Sequence, residues 1–85
     1  MSYVIKFREL QKEAMKVGLT LSDNDVEEMA KKIEEYVNSL PEPLKRLGTI
    51  SFGGRVYARV DYPMLFRTSP EFRQIFLQML KARIK

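Results

Sequence analysis

The 85 residues are enough for one domain and too few for two, so residues 1–85 are read as a single domain. Neither cysteine nor histidine occurs, which excludes a disulfide framework, thiolate and imidazole catalysis, and the usual zinc sites. No apolar run exceeds three residues and the net charge is +4, so the sequence offers no membrane span or signal-peptide core, and a cytoplasmic protein without membrane contact is expected.

Tyr3, Phe7, Leu10, Ala14 and Val17 recur at spacings of four and three residues, which predicts a helix over about 3–17 with one apolar stripe. Gly18 is placed to end it in the left-handed conformation. Ser22 then begins a second helix as N-cap, and Asp25 three residues on completes a capping box. Val26, Ala30, Ile33, Val37 and Leu40 carry its stripe, and Pro41 stops it. The two helices read as an antiparallel hairpin, followed by one helical turn at Leu44–Leu47.

A β-hairpin follows, turning at Gly53-Gly54. With a two-residue turn, Phe52 pairs with Arg55, and Val56, Ala58 and Val60 face away from Ile50 and Phe52. A three-residue loop, Gly53-Gly54-Arg55, gathers all five apolar residues on one face, which favours it for a half-buried ribbon. Tyr57 and Arg59 are then expected to point outward. Tyr62-Pro63 reads as the end of the strand, and Met64-Leu65-Phe66 as a connector. Ser69 caps a last helix with Pro70 at its first position. Phe72, Phe76, Leu77, Leu80 and Ile84 surround most of that helix, so a homodimer interface is expected there. The resulting fold class is α+β: a helix hairpin, a short helical turn, a two-stranded antiparallel ribbon and a C-terminal helix.

The charge divides sharply along this chain. Residues 1–42 carry nine acids and six bases, whereas residues 43–85 carry two acids and nine bases, six of them arginine. Arginine presents a planar fork suited to phosphate or carboxylate. Catalytic spacings are absent, so no enzyme and no cofactor are expected. Asp23-Asn24-Asp25 lacks the glycine and distal glutamate of a calcium loop and is better explained by capping, so no metal is expected either. A winged-helix reading fails because only one turn is left for a recognition helix. The remaining expectation is a small nucleic-acid-binding protein, for DNA or RNA, using Arg55, Tyr57 and Arg59 on the ribbon with Arg67, Arg73, Lys81 and Lys85. The alternative is a protein-interaction module, an adaptor, inhibitor or assembly subunit, whose basic half docks an acidic protein partner.

Overall fold

The chain enters α1 (Ser2–Lys16), turns back into α2 (Asp23–Asn38), and reaches the single turn α3 (Glu42–Arg46). The ribbon β1 (Gly48–Phe52) and β2 (Arg55–Ala58) follows, then a 3-10 turn at Arg59–Asp61, α4 (Tyr62–Thr68) and α5 (Pro70–Ala82). This is the computed structural model of the protein, and it describes residues 2–18 and 20–82. The α+β order read from the sequence is the order observed. Among the described residues no helix is long and apolar enough to cross a membrane.

Local chemistry explains the element boundaries. Ser22 Oγ accepts from the Asp25 amide at 3.1 Å while Asp25 Oδ2 accepts from the Ser22 amide at 3.2 Å. This reciprocal pair satisfies two of the donors that a helix start leaves unpaired. Gly18 does not take the left-handed conformation; only Gly53 and Gly54 have positive φ among the described residues. Ser69 Oγ accepts from the Phe72 amide at 3.1 Å and starts α5.

One helix was absent from the sequence reading. Tyr62-Pro63 does not end in a connector; Tyr62–Thr68 is helical, with Pro63 in its first turn. Proline is tolerated there because that amide would lack an intrahelical partner in any case. The extra helix places Tyr62, Leu65 and Phe66 in the core.

That addition decides the fate of α5. The core gathers Leu10 and Ala14 from α1, Met29, Ala30 and Ile33 from α2, and α4 and α5 close around them. Phe66 meets Phe76 edge-on at 6.0 Å, Tyr62 meets Phe76 at 5.2 Å, and Phe72 stacks on Phe76 at 5.6 Å. Phe72, Phe76, Leu77 and Leu80 are fully buried within the one chain. The expected homodimer interface is therefore corrected: these four side chains are spent on the protein's own core and offer nothing to a second copy. Ile84 lies outside the described residues.

The ribbon takes the register that the sequence reading set aside. Phe52 pairs with Arg55, Ser51 with Val56 and Ile50 with Tyr57, so the loop is the two residues Gly53-Gly54. Their φ values of 59° and 79° are those of a type I′ turn, whose twist matches the flanking strands and which needs φ > 0 at both positions. The inner face consists of Ile50, Phe52 and Tyr57 packed on the core, and Val56 remains 68% exposed. A five-residue apolar face is not required, because α4 and α5 already supply the burial that it would have provided. Register shifts between Gly48 and Ile50, leaving Thr49 as the extra residue of a bulge. Gly48 lies so close to the second strand that a β-carbon there would sit 2.6 Å from Val56 Cγ1.

Candidate functional site

Of the residues expected to touch nucleic acid, Arg59, Arg67 and Arg73 are engaged by the protein itself. Arg67 bridges two turns of α2: its Nε and Nη2 donate to the two carboxylate oxygens of Glu27, each at 3.0 Å, and its Nη1 donates to Glu34 at 2.8 Å. This three-bond fork ties α4 to α2. The hydrogen bond from Arg67 holds the Glu27 carboxyl below its ordinary value, and the carboxylates raise the arginine correspondingly. Arg73 donates from Nε to the Phe66 carbonyl at 2.6 Å and from Nη2 to the Arg67 carbonyl at 3.1 Å. These are last-turn carbonyls of α4, so Arg73 caps that helix where a cation is favoured.

The ribbon residues divide in a similar way. Tyr57 is half-buried against Phe52, with ring centroids 6.4 Å apart, instead of standing outward. Arg59 is half-buried and donates from Nη1 to the Leu44 carbonyl at 3.0 Å. Arg55 is exposed at the hairpin tip and Lys81 is half-buried. Lys85 lies outside the described residues. The outward Arg–Tyr–Arg ribbon is thus corrected: the two-residue turn rotates Tyr57 onto the core, and Arg59 leaves the strand for the 3-10 turn.

A different set of residues is brought together instead. A cleft of about 400 Å³ opens between the N-terminal half of α1 and the base of the ribbon. Tyr3, Phe7 and Gln11 line it from successive turns of α1, and Val4 and Arg8 line it from the neighbouring row. Tyr36 of α2, Tyr62 of α4 and Met79 of α5 form the rest of the apolar lining. Phe7 and Tyr36 are in ring contact at 5.4 Å, tilted by 49°. Thr49, turned by the bulge, and Arg59 complete the lining from the ribbon side.

The polar chemistry of this cleft is one-sided. Thr49 Oγ1 and the Tyr62 hydroxyl are 2.7 Å apart; the pair shares one hydrogen, which leaves a second O–H to donate. Gln11 Nε2 donates to the Leu80 carbonyl at 3.4 Å. Arg8 and Arg59 bring two arginines to the lining, and among the described residues no carboxylate lines the cleft. A second groove, between α2, α3 and α4, differs in that Glu34 and Glu42 line it together with Lys45, Arg46 and Arg67. Its charges are already matched, Glu34 to Arg67 at 2.8 Å and Glu42 to Lys45 at 3.3 Å. Hydrogen bonding from Lys45 holds Glu42 below its ordinary value.

Arg8, Gln11 and Thr49 were outside the sequence-based site. Tyr3 and Phe7 stood out only as core residues, and the signal available was that Val4 and Arg8 follow them one position later on the same turns. No group of three acidic, cysteine or histidine side chains that could hold a metal occurs among the described residues. Comparison with family models, curated proteins and solved structures finds no match.

Proposed function

We propose that the protein is a non-enzymatic protein-interaction module that receives an acidic segment of a partner protein. One observation carries this reading: Arg8 and Arg59 line an aromatic cleft to which the described residues contribute no carboxylate. Two cations beside a low-dielectric wall, with no carboxylate among the described lining residues, favour an anionic occupant and disfavour a basic one. The phosphate-binding alternative draws on arginines that hold the fold together, since Arg67 and Arg73 are engaged by Glu27, Glu34 and backbone carbonyls.

The test is fluorescence anisotropy with the 85-residue chain and three labelled probes: a peptide rich in Asp and Glu, a random single-stranded DNA and a random duplex. The acidic peptide binds, and Arg8→Ala weakens it by about tenfold or more, the loss of one hydrogen bond to a charged group. Arg8 is exposed, so its removal leaves the fold intact. Nucleic acid binding with a steep salt slope, about −0.9 per phosphate on duplex DNA, abolished by Arg55→Ala and indifferent to Arg8→Ala, would transfer the function to the hairpin tip.

A further inference from the structure

We infer that the docking segment carries an aromatic residue directly beside its acidic residues, and that the cleft takes the ring while Arg8 and Arg59 take the carboxylates. This rests on the reading above and specifies its partner. The cleft's volume, about 400 Å³, lies at the lower end of ligand-sized pockets, which suits a single large side chain rather than an extended helix face.

The lining favours a ring. Tyr3 and Phe7 are half-buried, each backed by the core but not covered by it. Tyr36 and Tyr62, which retain 7% and 3% exposure, add two more aromatic residues to the lining. The rings already meet at tilted angles, 49° for Phe7 on Tyr36, and such an array presents both ring faces and ring edges to an entering aromatic group. Met79 adds a polarizable thioether, which also favours aromatic contact. A branched aliphatic anchor would gain burial but none of these oriented contacts.

The donor set fixes where the charge belongs. Arg8, Arg59 and the free O–H of the Thr49–Tyr62 pair are all donors beside the aromatic wall. Arg59 is restrained, because its Nη1 donates to the Leu44 carbonyl at 3.0 Å. A guanidinium restrained in this way loses little further freedom when a carboxylate meets its remaining N–H groups. An acidic residue next to the ring in sequence reaches these donors without further chain ordering.

The experiment compares four labelled peptides by anisotropy against the 85-residue chain. The parent has the sequence Asp-Glu-Phe-Glu-Asp flanked by glycines; the others replace Phe by Leu, Phe by Ala, or every acid by its amide. Expected are a loss of at least about tenfold for the Ala peptide and for the amide peptide, and a smaller loss for the Leu peptide. Arg8→Ala should weaken the parent about tenfold and leave the amide peptide unchanged, placing the carboxylates at that side chain. If the Ala peptide binds as tightly as the parent, the aromatic inference is overturned while the acidic-partner reading stands. If no acidic peptide binds at high micromolar protein, both are overturned.

Discussion

Leu77 separates a helix enclosed by its own chain from a helix shared with a partner. Its side chain is fully buried in the protein core. Leu77→Ala removes three carbons from a site that backbone cannot refill, at a loss of about 2.7–5 kcal/mol. A domain of 85 residues has a total stability of about 4–13 kcal/mol, so this single change takes a large share of it. At about 4–8 °C per kcal/mol for a domain of this size, the melting temperature should fall by at least about 11 °C. The assay is thermal unfolding followed by circular dichroism over a wide range of protein concentration. A core defect lowers the transition by the same amount at every concentration, whereas a dimer contact makes it depend on concentration by mass action. A melting temperature within about 3 °C of the parent would refute the packing argument. So would a decrease seen only in dilute protein.

The remaining predictions concern the turn, the fork and the cap. Gly53→Ala and Gly54→Ala should each destabilise by about 1–2 kcal/mol, read from urea midpoints, because φ is positive at both positions. Val56→Thr, on the exposed face, should stay within about 0.5 kcal/mol; equal effects at Val56 and Gly54 would favour the three-residue loop. Because Arg67 makes the Glu27 carboxyl more acidic in the folded chain than in the unfolded one, the fork's contribution is complete above the ordinary glutamate range. It is lost as pH falls through the lowered folded value. A urea midpoint measured against pH should therefore drop on its acid side, and Arg67→Met should flatten that drop, leaving the similar but separate part due to Glu42. An unchanged acid limb in Arg67→Met would remove the fork from the stability argument. Ser22→Ala should destabilise by about 0.5–2 kcal/mol in the same urea assay, since the Asp25 amide loses the Ser22 Oγ acceptor.

What was legible in the sequence was local. Ser22 and Asp25 are three residues apart and form their box without help from the rest of the chain. The α1 and α2 stripes follow from helical geometry alone, and Leu10, Ala14, Ala30 and Ile33 are buried as that geometry requires. What was not legible depended on residues distant in sequence. Arg67 reads as a free cation until α4 is placed beside α2, which brings Glu27 and Glu34 from 40 and 33 positions away. Pro63 reads as a breaker unless the helix it begins is already suspected. Gly53-Gly54 satisfies either turn length, and the choice depended on how much apolar surface the ribbon had to supply. Among the described residues the cleft draws its lining from six separate segments, with Arg8 and Arg59 fifty-one positions apart; no spacing rule joins them.

The most direct test of the claim that the cleft, and not the hairpin tip, is the working surface is an amide chemical-shift titration. The 85-residue chain, labelled with nitrogen-15, is titrated with the Asp-Glu-Phe-Glu-Asp peptide. The account predicts that the amides of Val4, Phe7, Arg8, Thr49 and Arg59 move together with one saturation curve, and that Arg55 and Lys81 stay where they are. Shifts confined to Gly54, Arg55 and Lys81, with the α1 amides unmoved, would contradict it.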